Sequence, residues 1–429
     1  MASFFLQSFG CRANQADGAA VAAALQRAGL AAAAAPAGAD WVVLHTCTVT
    51  AAADAEARRA IRRLQRQHPR ARIAVTGCYA QRAPAELAAL AGVALVAGHA
   101  QQATLARQLL PVEALTSPQA RAASPASAAS PERVRPVVKV QEGCDRRCAY
   151  CVVPQVRGGS RSLPLGGVLD EIQRLAEQGA QEVVLSGINL GQWGRDLDAR
   201  LRLADLLRAV LDQTALPRLR LSSVEPMDWD ERLTELLASE PRLCRHVHLP
   251  LQSGSAAVLR RMRRRYRPAD YARLILDLRR RVPAAAIGTD VIVGFPGETE
   301  AEFDETRALV AALPFTYLHV FSFSPRAGTE AAARLAQDAW TPVPPPLAAQ
   351  RAAALRQLGE RKQAAFQAAM LGARLAVVAL HDDHPEGRWG LSDNYLRVAL
   401  PATVIANQRL TVEIIGPWGQ HLKGQPVAA

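Results

Sequence analysis

Short apolar runs alternate with Ala-rich stretches through the first hundred residues: 3–9, 41–45 and 72–76 read as strands, and 18–28 and 51–67 as helices. This βαβ pattern predicts a doubly wound parallel sheet. The hydrophobic period then disappears over residues 116–135, rich in Ser, Pro, Ala and Arg, which read as a linker or mobile loop. Strand and helix signals resume at Val137, with strands expected over 182–186, 218–222, 246–250, 287–293 and 317–323. Five or six βα units predict a full or partial TIM-like barrel whose working residues lie at the C-terminal ends of its strands. A Pro-rich break at 342–346 leads into a long helix over 347–370, and short strands at 374–380, 395–400 and 409–415 then suit a small antiparallel β-barrel. The α/β chain therefore divides into 1–112, a linker over 113–135, a barrel over 136–368 and a C-terminal unit over 369–429.

Composition narrows the classes. With 49% apolar and 21% charged residues among 429, the chain is globular and long enough for two or three domains. A net charge of +12 and a pI near 10.0 favour an anionic partner, nucleic acid before membrane. That signal is tempered because nearly all the positive charge is Arg, the lysines being Lys139, Lys362 and Lys423. No apolar run approaches the roughly 20 residues needed to span a bilayer, and a signal-peptide pattern is missing, so a cytoplasmic protein is expected. Seven cysteines in such a chain read as thiols for metal or redox chemistry rather than disulfides.

Cys144, Cys148 and Cys151 lie in EGCDRRCAYC, a Cys-x-x-x-Cys-x-x-Cys spacing. Three thiolates on one short loop can hold a 4Fe-4S cluster while one iron stays open to a ligand. A zinc knuckle is the competing reading, but structural zinc takes four ligands and no neighbouring Cys or His supplies the fourth. Val152, Val153 and Pro154 follow the triplet, then Arg157, Gly158, Arg161 and Ser162. In this order the segment resembles the radical-SAM superfamily, whose open iron binds S-adenosylmethionine and whose cluster cleaves it to a 5′-deoxyadenosyl radical.

Cys11, Cys47 and Cys78 are far apart, yet each follows a predicted strand, so a parallel sheet would carry all three to one edge. Ordinary buried cysteines and a second three-Cys cluster are both compatible with that placement. The surrounding words GCRANQ, TCTVT and TGCYAQ, with the central triplet, resemble the methylthiotransferase family across nearly the whole chain. TCTVT and TGCYAQ most resemble the MtaB-like branch, which acts on threonylcarbamoyladenosine in tRNA. His45 departs from that family's usual Asn, which leaves a detail near the second cluster open. Cys244 lacks a partner thiol and reads as a core residue.

LSGINLGQWG (185–194), LSSVEP (221–226), HLPLQSGS (248–255) and GTDVIVGFPGET (288–299) each fall at a strand end. Their glycines let backbone approach a ligand, and Glu225, Gln252 and Asp290 offer polar contacts to ribose, ammonium or carboxylate groups. The resemblance implies that Tyr150 and Gly187 help seat the cofactor and that Gly294 lies against its adenosine. Glu298 is expected at a helix N-terminus. VLRRMRRRYR (258–267) reads equally as a solvated helix face or a phosphate contact. LSDNYLRV (391–398) resembles the core of the TRAM domain, an RNA-binding module, although residues from Met370 onward are close to charge neutral. Tyr395 and Trp418 are candidates for base stacking or for core packing.

The resemblance implies methylthiolation of C2 of N6-threonylcarbamoyladenosine at position 37 of tRNA. It implies two 4Fe-4S clusters, held by Cys144, Cys148 and Cys151 and by Cys11, Cys47 and Cys78, and two S-adenosylmethionine molecules, one a methyl donor and one a radical source. Its implied partners are a tRNA anticodon stem-loop, an electron donor such as flavodoxin or ferredoxin, and a sulfur donor, with no membrane. Competing expectations are the same chemistry on isopentenyladenosine or a ribosomal protein, and a noncatalytic iron-sulfur RNA-binding protein.

Overall fold

The computed structural model describes residues 2–110 and 134–427, so most of the stretch read as a linker lies outside the described residues. Strands β1 (Ser3–Ser8), β2 (Ala31–Ala32), β3 (Trp41–Thr46), β4 (Arg72–Gly77) and β5 (Val93–Ala97) form one parallel sheet in the order β2-β1-β3-β4-β5. Val42, Val43, Leu44, Ala74 and Val75 are buried, because helices cover both faces of such a sheet. The first helix runs Arg12–Arg27, starting six residues before the predicted onset. Its polar opening turn hid it: Asn14 and Asp17 are buried against other parts of the chain rather than solvated. The second helix, Ala51–Gln67, matches its prediction, and Thr50 caps it by accepting from Ala53 N at 3.2 Å.

β6 (Val137–Glu142), β8 (Val183–Gly187) and β9 (Leu219–Leu221) run parallel, with the short antiparallel β7 (Arg161–Ser162) on the far edge of β6. β10 (His246–His248), β11 (Ala286–Val293) and β12 (Tyr317–Ser322) continue the curve, joined to β9 through parallel bridges at Leu219–Leu243 and Ser223–His248. β12 pairs with β11 alone and β6 with β7 and β8, so the barrel is partial and stays open on one side. The N-terminal helix enters that opening: Ala16 packs on Val137 and Val184, which point into the lumen. The opposite residues of β6 and β8, Val138, Val140, Val183 and Leu185, join the main core beneath the outer helices.

The C-terminal unit follows the helix Pro345–Ala368. β13 (Arg374–His384), β14 (Gly387–Ser392), β15 (Arg397–Pro401), β16 (Arg409–Trp418) and β17 (His421–Pro426) close into a barrel. It is mainly antiparallel as expected, with two strands beyond the three predicted and one parallel pair, β15 with β17. Both additional strands are rich in Gly and polar residues, which masked their alternation. No helix is long and apolar enough to cross a membrane among the described residues.

The C-terminal barrel docks at the N-terminal ends of the central strands through a buried charge cluster. Glu182 accepts from Arg135 at 2.6 Å, Arg218 at 2.6 Å and Arg220 at 2.8 Å. The two latter guanidiniums also donate to carbonyls of Ala376, Leu391, Ser392 and Asp393. Burial pushes the Glu182 carboxyl up, but Arg220, Arg218 and Arg135 outweigh it and hold it well below the usual carboxylate range. Tyr395, at φ 66°, stacks on His246 at 4.2 Å and accepts from Arg12 at 2.8 Å. Its ring therefore joins all three units and packs as core rather than facing a base. Replacing Glu182 by Gln removes the carboxylate paired with all three guanidiniums and should cost about 3–5 kcal/mol, read as a lower urea midpoint; an unchanged midpoint would show that the cluster is dispensable.

Candidate functional site

The parallel sheet carries three thiols to one edge. β1, β3 and β4 are adjacent and in register, Ser8 beside His45 and Thr46 beside Gly77, so their C-terminal ends align. Cys11 begins the helix after β1, Cys47 directly follows β3, and Cys78 directly follows β4. Gly10 must be Gly: at φ 89°, a Cβ there would stand 2.4 Å from the Cys47 Cβ and 2.8 Å from its Sγ. Cys47 and Cys78 are buried and Cys11 is exposed. Burial pushes the Cys78 thiol up to about 12 and raises that of Cys47.

The second trio rises at the opposite end of the barrel from the C-terminal unit, on the loop after β6. Cys144 N donates to Gly158 O at 3.0 Å, Ala149 N to Met262 O at 3.0 Å, and Ala331 N to Ala149 O at 2.8 Å, which fixes an otherwise irregular segment. Gln141 ties its root, donating to the carbonyls of Glu142 at 2.8 Å and Gly143 at 2.9 Å while accepting from Asn189 N at 2.7 Å. Burial pushes the Cys151 thiol up to about 12 and raises Cys144.

The two trios meet. Val152 and Val156, next to Cys151, pack directly on Cys78. Arg157, from the same short helix (Val153–Arg157), donates to Cys78 Sγ at 3.2 Å, Asp17 at 2.8 Å and Glu142 at 2.8 Å, and also to Asn14. Lys139 pairs with Asp17 and Glu142 in the same cluster. Burial works against the Asp17 carboxylate, but Lys139 and Arg157 hold it well below the usual range. On the far side Arg326 and Arg82 both reach Asp54 and Thr48, one residue from Cys47.

Both trios fit an anionic iron-sulfur cluster. The sulfurs face N–H donors: Arg157 Nε and His99 on Cys78, Val49 N at 3.5 Å on Cys47, Asn189 Nδ2 at 3.7 Å on Cys144 and Arg264 Nη1 at 3.8 Å on Cys148. His99 is drawn down to about 4 and His45 to about 3, in each case by burial first, so both imidazoles stay neutral at pH 7. His45 bonds to Gln102 at 3.0 Å, which accounts for one nitrogen at the position where the sequence departs from its family. Among the described residues only His248, Asp290 and His319 bring three ligand atoms within 4.8 Å of one another, and both imidazoles already bond to that carboxylate.

The expected cofactor contacts divide. Tyr150 lies between Cys148 and Cys151 in sequence, its ring edge-on to Phe295 at 6.4 Å. Glu225 is held by Arg264 through a 3.0 Å bond and a second shorter one, beside the Cys148 sulfur. Gln252, at φ 64°, ties β11 by donating to Asp290 O and accepting from Ile292 N, each at 2.8 Å. Gly187 is packed: a Cβ would lie 3.0 Å from Gln141 Cβ and 3.1 Å from Leu190 Cα. At Gly294 a Cβ would meet Ala348 at 2.8 Å, so that face turns toward the helix Pro345–Ala368. Asp290 accepts from His248 and His319, apart from the thiol loop.

Other readings need revision. Glu298 accepts from Gly294 N at 2.7 Å and Arg351 at 2.9 Å, while Thr299 and Glu302 cap the following helix. The Arg-rich run is no continuous helix face, since its helix ends at Arg261 and Arg263 turns at φ 57°, which directs Arg264 inward to Glu225. Cys244 is buried as expected, 3.7 Å from Glu182. Sequence reasoning missed Asn14, Asp17, Gln141 and Asn189 as the groups that position both thiol loops. Asn14 lies within GCRANQ and Asn189 within LSGINLGQWG, so motif membership was the available signal.

The model of Uncharacterized protein family UPF0004 matches residues 3–98 and that of the Radical SAM superfamily residues 138–310. The chain is 32% identical to threonylcarbamoyladenosine tRNA methylthiotransferase MtaB of Aquifex aeolicus, over 84% of this chain and 87% of that relative. It is 35% identical to tRNA-2-methylthio-N(6)-dimethylallyladenosine synthase of Chloroflexus aurantiacus, over 90% of this chain and 83% of that one. Among solved structures, the radical S-adenosylmethionine methyltransferase TsrM of Kitasatospora setae shares the fold at 17% identity, with a TM-score of 0.57 over 79% of this chain and 78% of that chain.

Arg157→Met should strip the buried anions of their shared partner and weaken the contact between the two trios by about 3 kcal/mol. Calorimetry is expected to show an earlier, separate transition for the N-terminal sheet; a single unshifted transition would overturn that role.

Proposed function

The chain belongs to the radical-SAM tRNA methylthiotransferases, and from that premise we propose that it methylthiolates C2 of N6-threonylcarbamoyladenosine at position 37 of tRNA, consuming two S-adenosylmethionine molecules per product. The observation that carries this reading is the contact of two separate cysteine trios through Arg157, Val152 and Val156. An adenine C–H bond is neither acidic nor electrophilic, so general acid-base groups alone would not replace it with sulfur. Cofactors held by these trios supply one-electron cleavage of a carbon-sulfur bond at one and a soft centre for sulfur at the other.

The chain's own residues do the rest. Cys144, Cys148 and Cys151 would hold the radical cluster, and Cys11, Cys47 and Cys78 the auxiliary one. Tyr150 and Glu225 stand beside the first trio to orient the cofactor, Glu225 fixed by Arg264. Gln252 and Asp290, with Gly187 and Gly294, shape the barrel mouth around them. Val152 and Val156 keep water from the contact between trios, and Arg157 holds negative charge there. On the C-terminal barrel, Arg397 lies over Trp389 at 4.5 Å and Lys423 over Trp418 at 4.7 Å, with His384 and His421 against the same rings. A half-buried patch of cations and aromatics suits single-stranded RNA, which supports the anticodon stem-loop as partner. Electrons and sulfur come from separate donors.

The words around Cys47 and Cys78 favour the threonylcarbamoyl substrate. The dimethylallyl substrate is the competing reading, favoured by relatives of similar identity that carry that name. Reconstituted enzyme with reductant, S-adenosylmethionine and anticodon stem-loops bearing either nucleoside is expected to give the 2-methylthio derivative of the threonylcarbamoyl form by mass spectrometry. Product from the dimethylallyl RNA alone would reverse the assignment. Ala at Cys144, Cys148 or Cys151 should abolish deoxyadenosine, whereas Ala at Cys11, Cys47 or Cys78 should stop methylthiolation with deoxyadenosine still formed. Full product from any of the latter would remove the auxiliary site.

A further inference from the structure

The inner wall of β10, β11 and β12 carries a hydrogen-bonded relay around Asp290 whose histidines and tyrosine have no part in the chemistry proposed above. Strand alternation puts Tyr317, His319 and Phe321 on one face of β12, while Leu318 and Val320 pack against the main core on the other. Tyr317 Oη lies 2.8 Å from His246 Nε2 and 3.0 Å from His248 Nδ1. Asp290 Oδ1 lies 2.8 Å from His248 Nε2 and 3.1 Å from His319 Nδ1.

A carboxylate only accepts, so both imidazoles donate to Asp290. His248 Nδ1 in turn faces the Tyr317 hydroxyl, which is shared with His246 Nε2. Every hydrogen-bonded member but the last is closed on both sides or buried. The chain ends at His319 Nε2, which has no hydrogen-bond partner among the described residues. The His319 side chain is 54% exposed, and Phe321, one step along the same face, is 43% exposed with its ring 6.5 Å away. An imidazole aimed by a fixed carboxylate, with its other nitrogen toward open space, is set to meet a group from outside the chain.

Its location says which group. Beyond β12, the Phe323 ring packs on Phe295 at 5.3 Å, and Phe295 on Tyr150 beside the first trio. Ser324 Oγ accepts from Ala51 N at 3.0 Å and Arg326 reaches Thr48, beside the second trio. Arg12, adjacent to Cys11, bonds to Tyr395, whose ring is 5.6 Å from Tyr317. The exposed His–Phe wall thus stands on the strand whose extension touches both thiol loops.

We infer that His319 reads the substituent on N6 of the target adenosine, with Phe321 offering its ring to the base and Asp290 acting as a positioning residue through His319. This rests on the substrate reading above. A threonylcarbamoyl group carries a hydroxyl, ureido N–H groups and a carboxylate. Neutral His319 accepts from the first two at Nε2, and protonated His319 donates to the third. A dimethylallyl group offers no polar atom and leaves that nitrogen unpaired, which a site built on a hydrogen bond penalises strongly.

The test uses full-length reconstituted protein without reductant and dye-labelled anticodon stem-loops identical except at position 37, which is unmodified, threonylcarbamoylated or dimethylallylated. By fluorescence anisotropy the wild type should prefer the threonylcarbamoylated RNA over the unmodified one by at least about tenfold. His319→Ala, matched for iron content, should reduce that ratio to about twofold or less, and His319→Gln, which keeps a polar end, should restore part of it. In turnover the Ala variant should lose through KM more than through kcat. A wild-type ratio in His319→Ala overturns the inference, as does equal loss of binding to all three RNAs in both variants, which marks a structural role. A wild type that prefers the dimethylallylated RNA instead fails the substrate reading, and the inference falls with it.

Discussion

The guanidinium of Arg157 is the constraint on which the rest of the molecule depends. Burial disfavours its charge, yet Cys78, Asp17 and Glu142 surround it closely enough to outweigh that penalty and hold it cationic. A planar group with five donors is what such a position requires, because thiol, amide and carboxylates approach it from different directions. Lys could not span them. Since three of its partners, Cys78, Asn14 and Asp17, belong to the N-terminal unit and Arg157 itself follows the Cys151 loop, satisfying one buried charge brings the two thiol loops together. Apposition of the sites is thus an electrostatic consequence, in addition to the apolar contact of Val152 and Val156 with Cys78.

A second charge cluster does the same work at the opposite end of the barrel. Glu182 gathers three guanidiniums, and two of them, Arg218 and Arg220, send further donors to carbonyls of the C-terminal barrel. The two ends of the central strands are thereby divided. Chemistry-bearing loops occupy the C-terminal ends, as barrel topology favours, and the docking of the small barrel occupies the other. Tyr395, in the segment that resembles the TRAM core, takes part in this docking, while the half-buried rings of Trp389 and Trp418 lie under Arg397 and Lys423.

Legibility of the sequence followed burial type. Strands β3 and β4 are covered on both faces and read directly as the apolar runs WVVLH and RIAVT. β9 (LRL) and β10 (HVH) place Arg220, His246 and His248 inward, where a sequence reader expects solvent, because the lumen is filled by polar groups of the other two units. Their existence was legible; what they face was not. The thiol ligands were visible as motifs, since three cysteines on one loop need no tertiary information. Arg157 stood in plain view, but its partners Asn14 and Asp17 are about 140 positions away, and no local spacing encodes that meeting. The Arg-rich run failed for a different reason: composition does not announce the φ of 57° at Arg263 that turns Arg264 from a solvated face toward Glu225.

The open side of the barrel follows from the same arrangement. β12 and β6 do not pair with each other; a barrel closed between them would have filled its lumen with side chains and admitted no nucleotide. Here the helix Arg12–Arg27 covers the inner faces of β6 and β8, so the remaining gap lies between that helix and the inner face of β12. Large exposed apolar side chains are few, and two of them, Val49 beside Cys47 and Phe321 on β12, belong to the elements that border this gap. Val49 and Phe321 therefore present apolar surface on the open side of the partial barrel, where the strand β12 runs on toward both thiol loops.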